Sequence, residues 1–156
     1  MLRFSKKIEY ALLAMQFMAY RGKELVSAKE MSEKLGISFE FLSKSLQGLM
    51  KGGLIVSVQG IRGGYQLAKS AEEISVVDVL AAMGENKGIV ECMTMDEHDS
   101  ACHREGVCTI RNPLGIIQKR IDDILRATTV AELAAPTQAI NFIPNITNIN
   151  NGVNNG

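Results

Sequence analysis

Two short capped helices joined by a single glycine, followed at once by a glycine-punctuated hairpin, constrain this chain more than any other feature. Ser27-Ala28-Lys29-Glu30 is a capping-box pattern, in which the hydroxyl and the carboxylate three residues on satisfy each other's free amides. The helix it opens runs to Leu35, and Gly36 breaks it. Ser38 then caps a second helix over residues 39–51, whose Leu42, Leu46, Leu49 and Met50 are expected to face a core. Gly52-Gly53 stops it. Leu54-Ile55-Val56-Ser57-Val58 reads as a strand from its β-branched residues. Gln59-Gly60-Ile61-Arg62-Gly63-Gly64 is a turn whose three glycines can take positive φ, and Tyr65-Gln66-Leu67 returns as a second strand. Helix, turn, helix and glycine-tipped hairpin in this order make a winged helix-turn-helix. The expected fold is therefore mainly α, with a two-stranded wing.

The flanking segments extend this unit. A helix over residues 4–20 precedes it, with Ser5 as cap and Arg21-Gly22-Lys23 as its end. Its stripe is Ile8, Leu12, Met15 and Ala19, widened by Ala11 and Met18. Ser75 caps a helix over residues 76–83. Pro113 stands where a first helical turn accepts proline. Leu114, Ile117, Ile121 and Ile124 then form a second stripe, with Ile116 and Leu125 beside it. The winged unit is expected to complete a small core by itself, so this long C-terminal helix is read as a dimerisation helix packing on its copy. Thr129 caps a short turn that reaches Ala134. The expected division is a DNA-binding domain over residues 1–83, a cysteine loop over 84–112, and the dimerisation helix with its following turn over 113–135. The asparagine-rich tail, 136–156, reads as disordered because it cannot bury much core.

Charge gives the partner class. The chain has 156 residues and a net charge of zero, but residues 1–69 hold eleven Lys and Arg against five acids, a net +6. Residues 70–156 carry six against twelve. A basic half of this kind fits a polyanion, and with the winged motif the expected partner is double-stranded DNA. The second helix of the motif would lie in the major groove, offering Ser38, Glu40, Phe41, Ser43, Lys44 and Gln47 at its start. The wing offers Gln59 and Arg62, and arginine suits a narrow minor groove. One such module grips weakly. A symmetric homodimer reaches half-sites about 34 Å apart per turn of duplex. No apolar run approaches the ~18 residues that span a bilayer, and no signal segment opens the chain, so the expected setting is the cytoplasm, with no membrane partner.

All three cysteines fall in one polar stretch. Cys92 and Cys102 are separated by nine residues, and Cys102 and Cys108 by five. His98 and His103 lie in the same stretch. Thiolates are soft ligands that suit iron–sulfur clusters, Zn or Cu(I), and a polar loop is an unusual place for free cysteines, which prefer apolar burial. A cluster normally takes four protein ligands, and zinc would fit as Cys₃His, although the paired CxxC of zinc ribbons is absent. The chain shows no Ser/His/Asp grouping, no GxxxxGK phosphate loop and no CxxC, so neither an enzyme nor a small-molecule substrate is expected.

Together these features resemble the IscR/NsrR-type regulators, the Rrf-two family, over about residues 1–135. The resemblance lies in Lys6-Lys7-Ile8-Glu9-Tyr10-Ala11, Gly36-Ile37-Ser38 with Phe41-Leu42, Gly53-Leu54-Ile55, and Gly60-x-x-Gly63-Gly64-Tyr65-Gln66-Leu67. Ile74-Ser75-Val76-x-Asp78-Val79, the cysteine trio and Thr129-Val130-x-Glu132-Leu133 extend it. It implies a homodimeric transcription factor with Cys92, Cys102 and Cys108 as ligands of a [2Fe–2S] or [4Fe–4S] cluster. The cluster would sense redox state, nitric oxide or cluster supply, and its state would change how the two wings meet DNA. Two departures stand out, the fourth ligand and the first cysteine spacing. Where IscR-like members carry a histidine three residues after the last cysteine, this chain has Arg111. Where NsrR-like members draw an aspartate from the partner's first helix, it has Ile8, with Glu9 rotated from that direction by about 100°. The fourth ligand is thus His103, His98, Glu9 or a small molecule. The first cysteine spacing is also wider than the five residues of many relatives. Some relatives lack cysteine ligands, so the alternative is a cluster-free regulator responding to a partner protein, thiol oxidation or zinc.

Overall fold

The computed structural model describes residues 3–85, 88–89 and 107–135. In chain order these form α1 (Lys6–Arg21), α2 (Ala28–Leu35), α3 (Phe39–Lys51), β1 (Ile55–Val58), β2 (Gly64–Leu67), a 3₁₀ turn (Ala71–Glu73), α4 (Val76–Ala82), α5 (Arg111–Ala127) and α6 (Val130–Ala134). The fold is mainly helical, with a two-stranded antiparallel wing and a long C-terminal helix.

Local chemistry sets most of these boundaries. Ser5, Ser27, Ser38, Ser75 and Thr129 each precede a helix and accept the backbone N–H three residues on. Each such cap contributes about 1 kcal/mol. Ser75 with Asp78 and Thr129 with Glu132 complete reciprocal capping boxes. Ser27 makes only half of the expected one. The Glu30 carboxylate turns away to meet Arg21 at 3.1 Å, because the end of α1 places a cation beside it. Gly36 closes α2 in the left-handed region at φ 64°, where a side chain would be strained. The first helix starts at Lys6 rather than residue 4, since Ser5 is its cap. The 3₁₀ turn at Ala71–Glu73 was not expected from periodicity and is too short to show any.

The core lies between α1, α3, α4 and α6. Ile8, Ala11, Met15 and Met18 of α1 meet Leu42, Leu46 and Leu49 of α3, with Ile55, Ile74, Val79 and Met83 closing the sides. Leu12 and Ala19 are half-buried at the flanks of the α1 stripe. Met50 does not face the core. It is 41% exposed, one helical step of about 100° past the buried Leu49.

The expectation that residues 1–83 complete their own core is also corrected. Val130 is fully buried in the same cluster. The chain is tied back there by Val76 N–H to Thr128 O (2.9 Å) and Val130 N–H to Ile74 O (2.8 Å). The Gln16 amide also donates to Leu133 O. The segment after α5 is therefore part of the winged unit's packing.

The wing is anchored as well as paired. Its register sets Ile55 opposite Leu67 and Val58 opposite Gly64. Tyr65 exchanges two backbone hydrogen bonds with Val26 (3.0 and 2.8 Å), which fastens the hairpin to the segment between α1 and α2. This approach leaves no room for a side chain at Gly64, where a Cβ would stand 2.8 Å from the Val26 carbonyl.

Candidate nucleic-acid interface and cysteine segment

The turn between α2 and α3 is held by the Ser32 hydroxyl, which donates to Ile37 O at 2.7 Å. That contact fixes the angle at which α3 leaves the core. Because Leu42, Ser45, Leu46 and Leu49 point inward, the opposite face of α3 is left to solvent. Ser38, Glu40, Phe41, Lys44 and Gln47 are all exposed there, and Ser43 is half-buried at the edge. The structure thus brings the six expected α3 residues onto one leading face. Their interactions differ. The Ser38 hydroxyl accepts from Phe41 N–H. Lys44 pairs with Glu40 at 3.0 Å, an exposed i,i+4 pair of small energetic weight that a nearby phosphate can replace. The Phe41 ring leans on Tyr10 of α1, with centroids 6.5 Å apart, and lies under the Lys44 ammonium at 5.9 Å. Phe41 therefore bridges α1 and α3 at the surface and stays largely exposed. Phe39 is also exposed, on the first turn.

Gln59 and Arg62 are exposed on the wing turn. Gly63 N–H donates to Gly60 O at 2.9 Å, closing a four-residue turn with Ile61 and Arg62 at its centre. A Cβ at Gly63 would stand 2.2 Å from Val58 O, so the turn packs tightly on the strand it leaves.

Of the thiol trio, Cys108 is described: it is half-buried and free, three residues before α5 begins. Cys92 and Cys102, with His98 and His103, lie outside the described residues. Among the described residues, no group of three His, Cys, Asp or Glu side chains is arranged to hold a metal ion. Ile8 is fully buried in the core, and its hydrocarbon side chain has no donor atom for a metal. Glu9 is exposed and pairs with Lys6 at 2.7 Å, holding that ammonium's pKa above its usual value. It also lines an open groove of about 380 Å³ with Arg3, Phe4, Leu12, Leu13 and Leu133. The segments flanking the cysteines are held to the body of the protein. Lys7 donates to Met83 O at 2.7 Å, Ser5 donates to Glu85, and Gln118 of α5 accepts from Ile89 N–H at 2.7 Å.

Residues 4–136 match the family model Rrf2, described as an iron-dependent transcriptional regulator. The chain belongs to the Rrf2 family. This Rrf2 protein is 35% identical over 152 residues to Protein rrf2 of Nitratidesulfovibrio vulgaris, covering 94% of this chain and 99% of that one. Its fold resembles CymR, the global cysteine regulator of B. subtilis, with a TM-score of 0.69 and 26% identity over 86% of this chain and 97% of CymR. It also resembles T. potens IscR, with a TM-score of 0.65 and 27% identity over 85% of each chain. The winged-helix fold and a role as a DNA-binding transcriptional regulator follow from this membership. No helix among the described residues is long and apolar enough to cross a membrane.

Proposed function

We propose that this Rrf2 protein is a homodimeric regulator whose operator binding is controlled by an iron–sulfur cluster held by Cys92, Cys102 and Cys108. The observation that carries this reading is the thiol trio itself. Three soft ligands within seventeen residues end just before α5, in a chain whose family is described as iron-dependent. When bound, the cluster supplies a redox-reactive iron centre, and the thiolates of this chain hold it. The proposed division of labour keeps residues 1–83 for DNA, 84–112 for the cluster and 113–135, which holds all of α5 but its first two residues, for the partner subunit, in a cytoplasmic protein. On the DNA side, Ser38, Glu40, Phe41, Ser43, Lys44 and Gln47 face the major groove, and Gln59 and Arg62 reach from the wing. His98, His103 and Glu9 are the candidates for the fourth ligand. Glu9 would first have to release Lys6.

The test is the 300–700 nm spectrum of protein purified without oxygen, with iron and sulfide assayed on the same sample. Broad absorption near 400 nm or several resolved bands, with roughly stoichiometric iron and sulfide, is the expected result. A colourless protein without iron after reconstitution would overturn the cluster and favour the second reading, a thiol-responsive regulator. The likeness to CymR supports that reading.

Dimerisation is argued from α5. The helix has no buried residue, although Ile116, Ile117 and Ile124 are 57, 46 and 53% exposed on it. Fully burying one isoleucine contributes about 1.5–3 kcal/mol, and roughly half of that remains to be gained at each of these three, which favours covering this face with a second copy. Ile117→Glu with Ile124→Glu is expected to give a monomer by sedimentation, with the melting temperature of the winged unit kept. A dimer that persists in the double variant would remove α5 from the interface.

A further inference from the structure

Ile61 is the most exposed large apolar residue of the described protein, at 108% of its reference area. Single exposed apolar residues are ordinary on protein surfaces, but this one stands where local preference opposes it. It occupies a central position of a tight hydrogen-bonded turn, where Gly, Asn, Asp, Pro or Ser is favoured and a β-branched residue is not. The turn is also fixed. Gly60 holds φ 132°, a conformation L side chains rarely adopt. Gly63 N–H closes on Gly60 O at 2.9 Å, and Gly63 lies against the Val58 carbonyl. Both central residues of the turn, Ile61 and Arg62, are consequently exposed at the tip of the wing. Departures from local sequence preference without a packing reason are expected at functional sites.

We propose that Ile61 is a minor-groove wedge. Arg62 answers the negative potential of the groove, and the isoleucine beside it enters between two base pairs, partly unstacks them and widens the groove around the wing. Minor-groove proteins combine cationic side chains with apolar wedges in this way, and a flexible pyrimidine–purine step would cost least to open. The wing would then read deformability, while α3 reads base edges. The inference rests on the DNA-binding reading and adds a residue and a mode of recognition to it.

The experiment uses the full chain and an operator enriched from a random duplex library by the unmodified protein, with 2-aminopurine at the step under the wing. Ile61→Ala is expected to bind about tenfold more weakly, from the lost apolar burial. It should also lose the fluorescence rise of unstacking and leave the salt dependence of binding unchanged. Arg62→Ala should instead lower the salt slope by about one, the signature of a lost phosphate-type contact. Ile61→Leu should restore both affinity and fluorescence. Because the tip touches no core residue, all three variants should melt like the unmodified protein. Ile61→Ala binding within twofold and giving the same fluorescence would overturn the wedge, and would leave the tip to a protein partner. Failure of the unmodified protein to enrich any duplex would overturn the DNA reading and the wedge with it.

Discussion

Gly64→Ala is expected to destabilise the protein by about 2–6 kcal/mol and to abolish operator binding. The added Cβ would sit 2.8 Å from the Val26 carbonyl carbon and oxygen and 3.0 Å from its nitrogen. All three are backbone atoms, so no side-chain rotation relieves the overlap. Either the strand moves or Val26 moves, and both break the hydrogen-bond pair between Val26 and Tyr65. Overpacking of this kind costs about 1–3 kcal/mol, and each lost hydrogen bond adds about 0.5–1.5. The wing then loses its anchor beside the α2–α3 unit, and its tip no longer holds a fixed distance from α3. Urea unfolding followed by circular dichroism measures the first effect. Gly53→Ala is the control. Its φ is +71°, but nothing lies within 4 Å of the added methyl. Its cost should be confined to backbone strain, on the order of 1 kcal/mol. Equal stability loss in the two variants would show that the Val26 contact is not the reason for glycine at position 64.

Simultaneous Cys92→Ser, Cys102→Ser and Cys108→Ser substitution is expected to remove all visible absorption and all dependence of operator affinity on cluster state. Coupling between two sites is typically worth 1–3 kcal/mol, so the unmodified protein should change its operator affinity about 5–150-fold between the loaded and cluster-free forms. The triple variant should show a ratio of one. Cys108 itself is half-buried and lies outside the core cluster, and a thermal melt of the triple variant checks that its fold is kept. Anaerobic titration of labelled operator with both proteins measures the ratio. A coloured triple variant would displace the cluster from these thiols. A colourless variant that still responds to oxidants would place the signal elsewhere in the chain.

What could be read in advance was local. Ser5, Ser27, Ser38, Ser75 and Thr129 act on amides three residues away, and Gly36 answers a demand of its own backbone. Such short-range terms are written in adjacent residues, so the capped starts of α2, α3, α4 and α6, the α3 boundaries and the two-stranded wing were legible, while α5, which no side chain caps, begins two residues before the expected 113. The outward face of α3 was legible for the same reason, because helical periodicity assigns faces without reference to partners. The cysteine trio was legible as chemistry, but Cys92 and Cys102 lie outside the described residues.

The sequence by itself determined which segments are helix and hairpin, which side of α3 is left to solvent, and which side chains carry soft-ligand chemistry. Only the tertiary structure decided that Glu30 leaves its cap for Arg21, and that Phe41 rests on Tyr10. It alone showed Val130 returning to fill the core and Gly64 making way for Val26. It also showed α5 with its apolar stripe only partly covered and Ile61 exposed on a fixed turn. The physical reason is range. Caps and turns are settled by dihedral angles and hydrogen bonds within a few residues, whereas burial, ion pairing and backbone approach join positions dozens of residues apart and exist only once the chain has closed on itself.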